Sequence, residues 1–334
     1  MQHKLLRLHK DNIDTKQGVI WYFSITADID PYGSFFMGWK IIELENGEKL
    51  SLFLDNLVIT TELSKITISL SDIDTIITHN NKLTITSRLL VALAEHNINF
   101  IICDEKHDPA LQLININGHF NSLKIFGEQL NWTNQYKDFL WIKIIAQKII
   151  NQANIILKIK DNKETYNKLI ELSKDIKSFD LSNREGHASK IYWHELFSIE
   201  FNRRDDSFEN LVLNYGYSIL RSMITRSIIK KGLDPRISLF HKSFNNYFAL
   251  ASDFIEPFRF CVDLNVLEII KETQNIYEAK TKMLERLSNY KLILNKKGYF
   301  VNNAIDLFID YVINQNEFPN FEIIWQQNIN QWES

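Results

Sequence analysis

From Trp39 to about Ile102, short β-branched runs alternate with polar turns. WKIIEL, KLSLFL, LVITTE, KITISL and DTIITH are separated by stretches such as ENGE and LDN. Runs of this length, rich in Ile, Val and Thr and bounded by turn residues, predict strands. One stretch departs from the pattern. In TSRLLVALAEHN, Leu89, Leu90, Leu93 and Ala94 fall on one helical face, with Thr86 or Ser87 placed to cap it. INFIICD returns to strand, and DEKHDP closes the segment as a loop. Residues 37–115 are thus expected to form a small, mostly β domain with one helix.

After about Asn115 the period changes. LWIKIIAQKIINQANIILKIK, KETYNKLIELSKDIKSF and ENLVLNYGYSILRSMITRSIIKKG all carry helical spacing. In the last, Leu213, Tyr217, Leu220, Ile224 and Ile228 stack on one face, and Gly232 offers a stop. ETQNIYEAKTKMLERLSNY and NNAIDLFIDYVINQ continue the helical reading toward the end of the chain. The fold class expected is α+β, a β domain followed by a larger all-α domain over 116–334. Residues 1–36 fit neither part. Met37 opens MGWKIIEL, so the first 36 residues read as an extension or as the product of a mis-called start.

Composition changes this picture little. At 334 residues, 45% hydrophobic and 24% charged, the chain has the make-up of a soluble protein with room for two domains. No run approaches the ~18 apolar residues of a membrane-spanning helix. GVIWYFSITADIDPYGSFF is broken by Asp28 and Asp30 and lacks a small-residue cleavage site, so it does not read as a signal peptide. Cys103 and Cys261 sit in apolar runs and read as reduced core thiols of a cytoplasmic protein. A formal net charge of −3 argues against a protein that coats nucleic acid all over. Any grip on phosphate must come from a local patch.

Such a patch exists. Between Arg221 and Lys242 there are six positive residues (Arg221, Arg226, Lys230, Lys231, Arg236 and Lys242) against one negative, Asp234. A solvated helix face accounts for such a run, and so does a phosphate-binding surface. The run leads into His241, in RISLFHKSFNNYF. Asp253 and Glu256 follow in ALASDFIEPFRFCVD, three residues apart and therefore on one face if helical, with Arg259 three further on. Acids in a first helical turn also complement the helix dipole, and Pro257 fits only near such a start. Upstream, SNREGHASKIYW presents Glu185, where Ser182-x-x-Glu185 has the form of a capping box. Glu185 is therefore a cap, a ligand, or both. Two carboxylates with one imidazole suit Mg²⁺ or Mn²⁺ better than a thiolate-seeking metal. Positive charge beside such a set is expected where a metal works on phosphodiesters.

Four segments in order, NREGHASKIYW, NLVLNYGYSILRSMI, GLDPRISLFH and FALASDFIEPFRFCVD, resemble the large subunit of the CRISPR-associated spacer-acquisition integrase. The β-domain run DIDTIITHNNKLTITSRLLVALAEHNINFIICDEKHDPALQL and the helical IIAQKIINQ agree with it. The likeness runs from about Met37 to about Leu267 and looks closest to the version that accompanies single-protein effector nucleases, the type II systems. The resemblance implies metal ligands at Glu185, His241 and Glu256, with Asp253 as a further ligand or as a support for one. Relatives usually carry a Gly between the Pro and the His; Ser238 fills that region here, so a slightly altered loop is expected. The resemblance further implies an N-terminal β-sandwich and a C-terminal helical domain holding Mg²⁺ or Mn²⁺. It implies a homodimer, two of which flank a dimer of a small ferredoxin-like partner in a heterohexamer. The reaction implied is integration of a short DNA duplex into a repeat array, each 3′-hydroxyl attacking a phosphodiester without ATP. A metal-dependent nuclease acting on branched DNA in repair would use the same ligands with water as nucleophile. A non-catalytic DNA-binding scaffold would need only the patch.

Overall fold

The computed structural model describes residues 9–15, 18–24, 40–44, 49–61, 65–115, 121–241, 246–315 and 317–324. The chain divides into two compact units, Met1–Gly118 and His119–Ser334.

The first unit is built on two sheets. The larger holds β1 (His9–Thr15), β2 (Gly18–Ser24), β3 (Lys40–Leu44), β7 (Ile73–Thr78), β9 (Asn99–Cys103) and β10 (Pro109–Gln112), in the order β1-β2-β3-β7-β9-β10. The smaller runs β6 (Lys65–Ser69), β5 (Asn56–Thr60), β4 (Lys49–Phe53) and β8 (Thr84–Ile85). Ile42, Leu44, Ile76 and Phe100 from the larger sheet share one core with Leu50, Leu57 and Ile59 from the smaller. Leu89, Ala92 and Leu93 of α1 (Ser87–Glu95) close that core. β7 is buried along its whole length, Asp74, Thr75 and Thr78 included, and pairs in parallel with both β3 and β9.

Two strands precede Trp39, where the sequence pattern predicts none. β2 pairs antiparallel with β3, Ile20 opposite Leu44, and β1 pairs with β2. HKDNIDT has no apolar alternation, so nothing in it announces a strand until a neighbour supplies the hydrogen bonds.

The second unit is mostly helical. It contains α2 (Ser122–Leu130), α3 (Asn134–Lys160), α4 (Lys163–Lys174), α5 (Arg184–Leu196), α6 (Phe208–Lys230), α7 (Ala249–Phe254), α8 (Arg259–Glu272), α9 (Ile276–Asn289) and α10 (Val301–Ile313). α3 and α6 form its axis. α3 packs on α4, α5 and α8, and α6 packs on α7, α8, α9 and α10. Gly216 allows a close approach of α8 and α9 to α6, since a Cβ there would lie 2.6 Å from Val262 Cγ1 and 3.0 Å from Met283 Sδ. The expectation of an all-α domain needs one correction. β11 (Lys291–Leu294), β12 (Lys297–Phe300) and β13 (Phe321–Ile323) form a small sheet ordered β12-β11-β13. Asn295 and Lys296, with φ of 51° and 67°, make its two-residue turn. Both cysteines are free and buried. No helix among the described residues is long and apolar enough to cross a membrane.

Candidate metal and phosphodiester site

Glu185 stands in the first turn of α5, and its surroundings differ from a capping box. The N-cap is Asn183, at φ 49°, whose side chain accepts from Gly186 N at 3.3 Å. The Asp180 carboxylate accepts from Arg184 N at 2.7 Å and from Glu185 N at 2.9 Å. These groups satisfy the opening amides, and Ser182 Oγ is buried with no hydrogen-bond partner. The Ser182–Glu185 box is not formed, because the chain turns left-handed at Asn183 and shifts the cap by one residue. A Cβ at Gly186 would lie 2.6 Å from Asn183 Oδ1 and push that capping side chain aside. Released from capping, Glu185 reaches Lys148 of α3, with Oε1 2.6 Å from Nζ.

Glu256 reaches the same ammonium. It opens a one-turn 3-10 segment, Glu256–Phe258, between α7 and α8, with Pro257 second, as the proline suggests. Its carboxylate is 3% exposed and accepts the Arg259 fork, Nε to Oε2 and Nη2 to Oε1, both at 2.8 Å. Lys148 Nζ lies 2.7 Å from Oε2. Burial works to raise the Glu256 carboxyl, but Arg259 and Lys148 outweigh it and hold it down at about 2. Burial likewise works to lower the Lys148 ammonium, and Glu256 and Glu185 overcome it and raise its pKa.

His241 is set by Asp253. The fully buried Asp253 carboxylate accepts from Leu239 N at 2.6 Å, Phe240 N at 3.2 Å and His241 N at 3.3 Å. It also takes His241 Nδ1 at 2.5 Å, which fixes the tautomer that offers Nε2. Phe240 stacks on Trp141 of α3 at 4.5 Å, and Trp141 meets the His241 ring edge-on at 5.7 Å. The Asp253 hydrogen bond raises the His241 pKa against the opposing effect of burial, and Glu256 and Glu185 add to the rise. Both glutamates therefore lie within electrostatic reach of the imidazole. Among the described residues no three His, Cys, Asp or Glu side chains form a ready-made cage for a metal. Between Glu185 and Glu256 the cation in place is Lys148.

The pattern describing CRISPR associated protein Cas1 matches residues 42–299. The chain belongs to the Cas1 family. It is 34% identical over 276 residues to the CRISPR-associated endonuclease Cas1 of Neisseria meningitidis serogroup C, across 82% of this chain and 90% of that relative. Solved structures share the fold. A casposase bound to integration product matches with a TM-score of 0.62 and 22% identity, over 87% of this chain and 97% of that one. A Cas6-RT-Cas1–Cas2 complex matches with a TM-score of 0.68 and 17% identity, over 91% of this chain and 38% of that one.

The basic run divides in this Cas1 chain. Lys230 and Lys231, at the end of α6, reach Asp306 and Asp310 of α10, each at 2.5 Å. Arg236 pairs with Asp234 at 2.5 Å. Arg226 is half-buried within reach of Asp306, and Lys242 lies outside the described residues. Arg221 is exposed, one turn and a half earlier on α6, and feels the charge of Arg259. Arg203, which nothing in the sequence pattern singles out, stacks over Trp193 at 5.5 Å and Tyr217 at 5.7 Å, while Arg259 lies over Tyr217 at 4.6 Å. Lys148 is a further residue that sequence reasoning misses. A signal for it exists: Gln147, Lys148, Asn151 and Gln152 are all buried, among the apolar residues Ile144, Ile145, Ile149 and Ala153 of the same helix. Polar groups in such a place hold something.

Proposed function

We propose that this chain is the integrating subunit of a type II spacer-acquisition complex. It joins the 3′-hydroxyl ends of a short DNA duplex to phosphodiesters of a repeat array. The observation that carries the reading, beyond family membership, is the convergence of Glu185 and Glu256 on one cation beside an imidazole oriented by Asp253.

The donor set fits Mg²⁺ or Mn²⁺. Two hard carboxylates, one of them kept ionised by its neighbours, face a common point, and His241 contributes a nitrogen. Glu185, His241 and Glu256 are the ligands in this reading. When bound, the metal polarises a phosphoryl oxygen and stabilises charge on the attacking or leaving oxygen. The chain's own residues do the rest. Arg259 holds the Glu256 carboxylate with two parallel hydrogen bonds and fixes its plane. Asp253 holds the imidazole and the 239–241 backbone together. Arg203 and Arg221 add positive charge near Arg259, where a DNA backbone would be drawn in without its sequence being read. One phosphodiester replaces another, so no nucleotide is consumed.

The assembly proposed is a homodimer, two copies of which flank a dimer of a small ferredoxin-like partner. The matching Cas6-RT-Cas1–Cas2 complex, which joins Cas1 with Cas2, supports a second subunit. An endonuclease reading, with water replacing the 3′-hydroxyl, uses the same site and is favoured by the name of the meningococcal relative. The test is strand transfer into a supercoiled repeat plasmid with the partner and Mg²⁺ or Mn²⁺ added. Glu185→Gln, His241→Ala and Glu256→Gln should each abolish transfer, and the losses should not be additive. Normal transfer by Glu185→Gln would remove Glu185 from the site.

A further inference from the structure

Every oxygen of Glu256 is already in use. Oε1 accepts from Arg259 Nη2, and Oε2 accepts from Arg259 Nε and from Lys148 Nζ. Glu185 Oε1 is held by the same Nζ at 2.6 Å. The two carboxylates are therefore neutralised by one lysine and one arginine, with the lysine between them and 8% exposed. A divalent ion that joined these four groups without displacing one would leave two uncompensated positive charges in a buried place. It would also need metal–oxygen distances of about 2.0–2.2 Å where the ammonium holds its oxygens farther out.

The two resident cations are not equally replaceable. Arg259 grips Glu256 through a planar two-point fork and lies over the Tyr217 ring at 4.6 Å. Lys148 makes one contact to each carboxylate from the end of a flexible four-carbon stem. The weaker hold is the lysine's.

We propose that Lys148 is a built-in competitor for the metal: its ammonium holds Glu185 and Glu256 together in the metal-free protein and must be displaced from them for a divalent ion to bind. This inference rests on the reading of Glu185 and Glu256 as ligands. The lysine keeps its proton throughout and exchanges only its partners.

The experiment measures Mn²⁺ binding to the full-length chain by calorimetry and electron paramagnetic resonance, in wild type, Lys148→Met, Lys148→Arg and Glu185→Gln. Removing the resident charge should tighten Mn²⁺ binding by about tenfold or more. Lys148→Arg should restore an affinity within about threefold of wild type. Metal-free Lys148→Met should melt below wild type, and saturating Mn²⁺ should narrow or erase that gap, because the ion replaces the missing cation. Unchanged or weaker Mn²⁺ binding by Lys148→Met overturns the inference and makes the lysine a simple ion-pair partner or an organiser of the site. Binding insensitive to Glu185→Gln overturns the ligand assignment instead, and with it this inference. Should Lys148→Met fail to fold, a crystal structure of the wild type grown in Mn²⁺ decides. Nζ withdrawn from both carboxylates supports displacement, and Nζ still bridging them beside a bound ion refutes it.

Discussion

Asn151 of α3 donates its side-chain amide to the Pro257 carbonyl at 3.0 Å, joining positions 106 residues apart. The bond pins the turn that carries Glu256 to the helix that carries Lys148. Gln147, one turn earlier, donates to Asn151 Oδ1 at 2.9 Å and completes the pair. Asn151→Ala leaves a buried carbonyl and a buried amide short of partners, a loss of about 1–3 kcal/mol. It should lower the urea midpoint and reduce strand transfer more than DNA binding, since the acid moves and the basic surface does not. Transfer and binding falling in equal proportion would place Asn151 outside the geometry of the site.

The start of α5 separates two caps that look alike in sequence. Asp180 accepts two amides of the first turn, whereas Ser182 Oγ accepts none. Asp180→Ala should destabilise by about 1–2 kcal/mol, in the range of a lost N-cap, and Ser182→Ala by no more than about 0.5 kcal/mol. Chemical denaturation of both variants checks this. The reverse order would restore the capping box.

These residues show where the sequence is legible. The change of period near Asn115 places the switch from strands to helices, because one-sided burial writes itself as alternation or as a helical stripe. Glu185, His241 and Glu256 can be named because each lies in a short, distinctive run. Lys148 cannot, since AQKIINQ reads as an ordinary helix unless one knows that all its faces are covered. The Asp180 cap is hidden because it depends on Phe179, Asp180 and Asn183 all taking positive φ, which none of them announces. LILNKKGYF lies between two stretches of helical spacing and has no periodicity of its own to set it apart, although Asn295 at the turn marks a hairpin once the flanking strands are seen.

Gly216 should tolerate no side chain. Alanine normally gains up to about 1 kcal/mol over glycine inside a helix. Here the added Cβ meets Val262 Cγ1 at 2.6 Å, a branched methyl with little freedom to withdraw. Gly216→Ala should therefore lose about 1–3 kcal/mol, and adding Val262→Ala should recover part of that loss. Thermal melts of the single and double variants decide. A stabilised Gly216→Ala would mean that α6 and α8 are free to move apart.

Asp263 gives stability a distinct pH dependence. Tyr192 donates to Oδ2 at 2.9 Å and Tyr217 to Oδ1. Burial raises the carboxyl to about 6, against the opposing pull of both tyrosines, Arg259 and Arg203. Its folded pKa lies above the unfolded value of 3.8, so between the two the folded protein binds more protons. Stability from this group therefore declines as pH rises through that window. At one pKa unit per 1.36 kcal/mol, the decline amounts to roughly 3 kcal/mol. The difference in unfolding free energy between wild type and Asp263→Asn should move by that order between pH 4 and 6. Glu256 acts with the opposite sign: held at about 2, it contributes stability above the unfolded value of 4.5 that is lost as pH falls toward 2. A difference that stays flat would mean that Asp263 is charged in the fold.

The basic surface can be divided by salt dependence. Lys230 and Lys231 each face a carboxylate of α10, so a phosphate must compete with Asp306 or Asp310 for them. Arg221 is exposed, and both it and Arg203 feel the like charge of Arg259. Two arginines within the field of a third add positive potential that an anion relieves, and the phosphates of DNA supply that anion. Arg221→Gln should therefore weaken duplex binding and lower the log–log salt slope by roughly 0.9 for each phosphate no longer neutralised. Lys231→Gln should leave the slope nearly unchanged and lower stability by no more than about 1 kcal/mol, the value of an exposed ion pair. Affinities measured across a salt series for the two variants discriminate. If Lys231→Gln flattens the slope and Arg221→Gln does not, DNA lies along the C-terminal end of α6 rather than beside Arg259.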